Sequence, residues 1–325
     1  MALERATTVR QVDSHTYSAD FAEDWCIGSV PHGGYVTTTI QKAVKKHFET
    51  TLSDQDQPHI LALHLDFLRR TQTGPATFTI KDVKLGRQTS VVHISLSQDG
   101  REEVVGYCTQ TNLTKESGLS FSTNWTPQPP ITPLTSTLTA LSLGQDPAWT
   151  ELSDWPNSNF RKATRQIRSF FPRAGQPSQN IYDEWICLQD PSENWTNDNL
   201  GFLIDLFPQI LETYILQGFD QYNPTLLETP SGRTLRESKK SETPFWYPTV
   251  LLNLDVKKLL PQGGVRFLST RLQTKVIREG RYDLEVVVWD EMGEVVALSH
   301  HVCFVVSAER NLRKRRTREE GGSKI

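Results

Sequence analysis

Asp205 is the most conspicuous candidate for chemistry in this chain. It is the only charged residue in Gly201-Phe202-Leu203-Ile204-Asp205-Leu206-Phe207, a run that is otherwise apolar apart from its glycine. A carboxylate in such surroundings is costly unless it is hydrogen-bonded or employed as a base. The plainer reading is an aspartate serving the backbone near a helix N-terminus, with Pro208 just beyond it. A second candidate is the pair His300-His301. Strand alternation sends one of the two inward, and an inward imidazole can hold a water or move a proton near neutral pH; the alternative is one packed and one surface histidine. A third is Val30-Pro31-His32-Gly33-Gly34-Tyr35. Small residues at a helix entry leave the first N–H groups uncovered, and with the helix dipole they form a spot for a phosphate or an oxyanion. His32 could touch a ligand there or only cap the helix. Thr249, at the start of a strand, reads by itself as β-branched filling.

These residues need elements to hold them. Val36, Ile40, Ala43, Val44 and His47 fall at helical spacing, so a helix from Val36 to about Phe48 can turn one stripe to a core. Strand periodicity follows at Ile60–Leu68, Phe78–Leu85, Val91–Leu96 and Val104–Thr111, with Asp99-Gly100 as a hairpin turn. Residues 115–158 read as a linker, because the prolines of Thr126–Pro133 remove donors and fix φ; one short helix fits near Thr137–Leu143. Strand character returns at Tyr182–Leu188, and a second helix is expected from Asn199 to Gln217. Further strands are expected at Thr249–Val256, Ser269–Arg278, Tyr282–Asp290 and Val295–Val306. Residues 309–325 carry charge without apolar period and read as a disordered basic tail.

Composition narrows the function. The 325 residues suit two domains, 1–114 and 159–308, and the net charge of -3 gives no general attraction to nucleic acid or anionic membrane. No stretch approaches the roughly 20 apolar residues of a membrane span. Met1–Arg10 is polar, so no secretory leader is expected. The four cysteines, Cys26, Cys108, Cys187 and Cys303, fit neither a metal-ligand spacing nor a disulfide scaffold and read as buried thiols of an intracellular protein. On that reading the Asn-X-Ser/Thr matches at Asn112, Asn124 and Asn194 are chance occurrences.

The two halves repeat one another. Leu63-His64-Leu65-Asp66 matches Leu252-Asn253-Leu254-Asp255, Val104-Val105 matches Val295-Val296, and in that register Gln110 corresponds to His301. A helix followed by a curled antiparallel sheet, twice, is an α+β double hot-dog, whose two sheets should pair edge to edge. Trp25 through Gly34, Asp66-Phe67-Leu68-Arg69 and Gly86 through Gly100 resemble the first half of TesB-type acyl-CoA thioesterases, nearest to the thioesterase-like branch common in fungi and actinobacteria. The resemblance implies a catalytic set of an aspartate on the second helix, a Thr or Ser opening the next strand, and a Gln on the last strand. These positions fall on Asp205, Thr249 and, departing from the pattern, His301.

The resemblance thus implies hydrolysis of an acyl-CoA or of a carrier-bound acyl or polyketide thioester. Water would be oriented by Asp205, Thr249 and His301, the oxyanion would meet backbone N–H groups, and His32, Gly33, Gly34 and Tyr35 would contact substrate. No metal or redox cofactor is implied. Two alternatives differ in kind. One is a hot-dog dehydratase, hydratase or isomerase, in which His301 opposite Asp205 would abstract a proton; the Gly-Asp-X-Asn-Pro-X-His signature of hot-dog hydratases is absent. The other is a non-catalytic acyl-binding protein. The terminal Ser323-Lys324-Ile325 differs from the Ser-Lys-Leu peroxisomal address only by an isomeric residue, so an import receptor is an expected partner and the peroxisome an expected location, with the cytoplasm as the alternative. The basic run Arg313–Arg316 reads as a solvated tail, and a homo-oligomer is compatible with the fold.

Overall fold

The apolar stripe that begins at Val36 does form a helix, α1 (Gly33–Glu49), capped by His32, whose Nδ1 accepts from the Gly34 N–H at 3.1 Å. Val36, Ile40, Ala43, Val44 and His47 are all fully buried. A computed structural model supplies this description, covering residues 1–152, 155, 157–206, 210–215, 222–224, 226, 229 and 245–313. Around α1 wrap β1 (Thr16–Phe21), β2 (His59–Phe67), β3 (Gly74–Lys84), β4 (Thr89–Gln98) and β5 (Arg101–Thr111). The β4–β5 turn is Asp99-Gly100 with φ of 52° and 69°. Two consecutive positive φ values match the right-handed twist of a hairpin, which is why an Asp-Gly pair sits there.

The second half supplies β6 (Trp149–Glu151), β7 (Ile167–Pro172), β8 (Ile181–Leu188), β9 (Thr249–Val256), β10 (Leu268–Gln273), β11 (Arg281–Trp289) and β12 (Val295–Phe304). Among the described residues all of these belong to one 14-stranded sheet, in the order β1-β3-β4-β5-β2-β9-β12-β11-β10-β8-β7-β6. The halves join where β2 meets β9 antiparallel, with Leu65 opposite Leu252, His64 opposite Asn253 and Leu63 opposite Leu254. The two tetrapeptides that repeat in the sequence are therefore the two that pair. The double hot-dog is the observed fold.

Three expectations are revised. The second helix is not continuous: it is α3 (Leu200–Asp205), after which Leu206 turns extended (φ -100°, ψ 91°), and a separate helix, α4, covers Ile210–Ile215. Pro208 has no N–H to bond the carbonyl of residue 204, so an uninterrupted helix there would leave that acceptor unpaired. Residues 115–158 do carry a short helix, α2 (Leu138–Ser142), but also β6, whose Trp149 packs with Leu141, Phe170, Trp185 and Phe267 in a separate small core. β6 and β7 escaped the sequence reading because neither alternates: every residue of Ser169–Pro172 is buried. Finally, the tail does not begin disordered. Glu309–Leu312 form a short helix whose Asn311 is fully buried, taking the Ser29 N–H on Oδ1 and donating from Nδ2 to the Ile27 carbonyl. Ser323-Lys324-Ile325 lies outside the described residues.

Candidate active site

The two helices cross at glycines. A Cβ on Gly34 would stand 2.8 Å from the Gly201 carbonyl and 3.0 Å from the Asp205 Cβ, and one on Gly201 would stand 2.3 Å from Gln41 Oε1. Both positions must be bare for α3 to lie on α1. Gln41 Oε1 accepts the Gly201 N–H at 2.8 Å, which sets the height at which α3 ends. The last residue of α3 is Asp205, and the crossing delivers its carboxylate to the N-terminus of α1. Gly33 is bare for the same reason, since a Cβ there would meet Asp205 Oδ2 at 2.5 Å.

Asp205 is buried, with its side chain 5% exposed. Its Oδ1 accepts a hydrogen bond from Thr249 Oγ1 at 2.8 Å and stands 3.4 Å from His301 Nδ1. Its Oδ2 faces His32 Nδ1 at 3.8 Å. Thr249 reaches Oδ1 because β9 carries a bulge between Thr249 and Leu251, which turns the strand's first side chain out of simple alternation. His301, on β12, is fully buried, and alternation leaves His300 exposed as its outward neighbour. Ser299 Oγ spends its one proton on the Asn253 carbonyl (2.6 Å) and so accepts from His301 Nε2 at 2.8 Å. That assigns a proton to Nε2 and directs Nδ1 at the carboxylate, which it stabilises when it too carries a proton.

The charges follow from these contacts. Burial pushes the Asp205 carboxyl up, but His301, His32 and the Thr249 hydroxyl together outweigh it and hold the group below the usual carboxylate range. Burial holds His32 below the ordinary histidine value, and the Asp205 charge offsets this only in part. The same conclusion comes from the helix cap: Nδ1 is already an acceptor for the Gly34 N–H, so His32 is neutral with its proton on Nε2. With His32 neutral, the lowering of Asp205 rests mainly on His301 and Thr249.

A cavity of about 360 Å³ opens beside this group. Of the expected site residues, His32, Gly33, Asp205 and Thr249 line it; Gly34, Tyr35 and His301 do not. Gly34 is spent on the helix crossing. Tyr35 is turned a helical step away, fully buried, with its hydroxyl donating to the Ala6 carbonyl at 2.8 Å and accepting the Ala22 N–H. It is a packing residue, contrary to the substrate contact expected of it. His301 stands behind Asp205, within reach of the carboxylate but outside the cavity wall.

The wall also holds residues that sequence reasoning missed. Phe67, Trp155, Phe160, Phe245, Trp246, Tyr247 and Phe304 give it an aromatic character, and Arg69 and Arg70 stand among the lining residues. Arg161 is buried in an ion pair with Glu212, which also receives Tyr222 and Tyr247 hydroxyls at 3.2 and 3.3 Å. The one available signal was Glu212, a charge inside the apolar stretch from Ile210 to Ile215.

Comparison with known proteins agrees with this architecture. Residues 21–111 match the acyl-CoA thioesterase N-terminal domain, and residues 135–305 match the acyl-CoA thioesterase C-terminal domain. The thioesterase-like protein TwmA of Talaromyces wortmannii is 37% identical over 331 residues, covering 95% of this chain and 93% of that protein. Among solved structures, a hot-dog protein of unknown function from Alicyclobacillus acidocaldarius superposes with a TM-score of 0.67 at 16% identity, over 94% of this chain and 97% of that one. The acyl-CoA thioesterase II TesB2 of Mycobacterium marinum does so with a TM-score of 0.57 at 14% identity, over 94% and 98%. At these identities the two structures speak for the fold alone.

Proposed function

This chain belongs to the acyl-CoA thioesterase family and is a hydrolase, and on that footing we propose that Asp205 activates the water that cleaves its acyl thioester. The observation that carries the proposal is one buried carboxylate at the cavity wall, hydrogen-bonded by Thr249 on Oδ1, with Oδ2 beside the lining residues Gly33 and His32. In the reaction, a water held on Oδ2 attacks the thioester carbonyl carbon and gives its proton to Asp205. The tetrahedral oxyanion is met by the N–H of Gly33, which as the first helical residue has no intrahelical acceptor, and by His32 Nε2–H. The C–S bond then breaks, the sulfur leaves with the proton from Asp205, and the products are a carboxylic acid and a free thiol. Thr249 and His301 are positioning residues: they fix Oδ1 so that Oδ2 is the basic atom.

For the substrate, an acyl-CoA or a carrier-bound acyl or polyketide chain both present the required thioester, and the aromatic wall favours a compact or unsaturated acyl group. The rival dehydratase chemistry needs His301 facing substrate from across the cavity. Its position behind Asp205, 3.4 Å away and outside the wall, favours hydrolysis. The test is to incubate the protein with octanoyl-CoA and a thiol reagent. Stoichiometric release of thiol and octanoate is expected; loss or gain of water across the acyl chain, or recovery of intact ligand, would discard the proposal.

Peroxisomal import through Ser323-Lys324-Ile325 is proposed on the sequence alone. An N-terminal fluorescent fusion should give peroxisomal puncta, and one glycine appended after Ile325 should make it diffuse. Identical diffuse patterns would place the protein in the cytosol.

A further inference from the structure

A second group of chemically capable side chains lies away from the cavity, at the C-terminal end of α1. His47 sits in the last turn of that helix, Asp82 near the end of β3, and His15 in the loop that leads into β1. His47 Nε2 stands 2.9 Å from Asp82 Oδ1, and His15 Nε2 stands 3.3 Å from Asp82 Oδ2. All three ligand atoms lie within 4.8 Å of one another. None of the three residues lines the catalytic cavity.

Several features of this group resemble a prepared binding site more than a chance ion pair. Both imidazoles have the far nitrogen engaged: His47 Nδ1 with the Tyr17 hydroxyl at 3.0 Å, and His15 Nδ1 with Ser14 Oγ at 2.8 Å. Such outer contacts fix ring orientation and leave Nε2 as the coordinating atom. Tyr17 is fully buried, and its hydroxyl proton has a carbonyl to bond, that of Ser14 at 3.2 Å. When it does so, its oxygen takes the Nδ1 proton of His47. The bare Nε2 of a neutral ring then faces a carboxylate oxygen at 2.9 Å, two acceptors that a metal ion or a second ring proton must bridge. Asp82 is itself aimed by an irregularity, since β3 carries a bulge between Asp82 and Lys84.

We propose that His15, His47 and Asp82 bind a zinc ion, with solvent as the fourth ligand. Two ligands about 2.0–2.1 Å from a tetrahedral zinc stand about 3.3 Å apart, close to the two His–Asp separations seen here. Two imidazoles and one carboxylate suit a borderline ion; magnesium and calcium prefer oxygen alone, and copper(I) prefers sulfur. The burial is graded as such a site requires. His47 is fully buried, while the side chains of Asp82 and His15 are 24% and 44% exposed, so the ion has an entry path and a place for water. The site would be structural: it clips the loop before β1 to α1 and β3, three segments separated widely in sequence, and does not touch the reacting groups.

The test uses untagged full-length protein stripped with a chelator. Zinc is titrated by calorimetry with magnesium as control, and bound metal is counted by mass spectrometry after dialysis. One zinc per chain and a rise in Tm with zinc are expected, with no response to magnesium. H15A and D82N, both partly exposed and so tolerable to the fold, should each lose the stoichiometric zinc. Y17F should keep the fold and weaken binding by about 10–100-fold, the usual effect of removing an outer contact. Thioester hydrolysis should be the same in wild type and H15A. Wild-type protein that takes up no stoichiometric zinc would show the group to be a hydrogen-bonded network and overturn the proposal. Uptake unchanged in H15A and D82N would place the metal elsewhere and overturn it equally.

Discussion

The two halves of the molecule share a scaffold and differ in what they place on it. By the register that aligns Leu63 with Leu252, Ile60 is the counterpart of Thr249, and each stands just before a bulge, between Ile60 and Ala62 in β2 and between Thr249 and Leu251 in β9. On the last strands, Gln110 is the counterpart of His301 and Cys108 the counterpart of Ser299; Gln110 and His301 are both fully buried. In the second half the bulge carries a hydroxyl that bonds a carboxylate, and the inward polar residue is anchored by Ser299. In the first half the bulge carries an apolar side chain, and neither amide atom of Gln110 has a hydrogen-bond partner among the described residues. The helices diverge in the same sense: α1 runs unbroken for 17 residues, whereas α3 stops at Asp205. Symmetry supplies the positions twice. On the proposed mechanism, residue chemistry makes one of them a site.

The comparison can be broken most forcefully at Asp205. D205N is nearly isosteric but removes the base, and thiol release from octanoyl-CoA should fall by about 10²–10⁴-fold with the melting profile retained. T249I gives the second half the residue of the first. Losing a hydrogen bond to a charged group costs about 1.5–3 kcal/mol, so kcat should drop roughly 10–100-fold with KM little changed. H301Q installs the amide of the first half and of the family pattern; because His301 only positions Asp205, hydrolysis should stay within about tenfold of wild type. A loss of hydrolysis of about a hundredfold or more would instead make His301 a general base and contradict its positioning role. Q110L tests the silent half: replacing an unpaired buried amide by an apolar group of similar size should leave activity unchanged and alter stability by no more than about 1 kcal/mol in the destabilising direction.

The smallest effect concerns acid stability. His32 has a folded-state value below its unfolded one near 6.5, so as pH falls through about 6.5 the unfolded chain binds the proton more readily and stability declines. Asp205 acts lower: its lowered value contributes stability above about 3.9 that is lost only as pH falls toward its folded value. Urea midpoints of wild type and H32N between pH 7 and about 5 should diverge, the wild type having the steeper decline. The remaining slope belongs in part to His59, also held down by burial. Parallel curves would mean that His32 is not the group responsible.

Most of the scaffold was legible because its signals are local. Alternation located β2 and β9, spacing located α1, and Asp99-Gly100 located the hairpin. Asp205 stood out by the cost of its surroundings and the His300-His301 pair by strand alternation, whereas Thr249 entered only through resemblance, since a threonine at a strand start carries no chemistry by itself. What stayed hidden was mostly non-local. Arg161 meets Glu212, and His15 meets His47 and Asp82, across separations that no motif spans. Tyr35 stands two residues beyond Gly33, and at about 100° per residue it points to nearly the opposite side of the helix, away from the cavity.

The most direct measurement of the central claim is a single turnover of octanoyl-CoA in oxygen-18 water, with enzyme in excess. If Asp205 activates a water, octanoate carries one heavy oxygen and the peptide containing Asp205 carries none. Heavy oxygen in the Asp205 carboxylate would mean that the side chain itself attacked the thioester and was then hydrolysed, and would contradict the account.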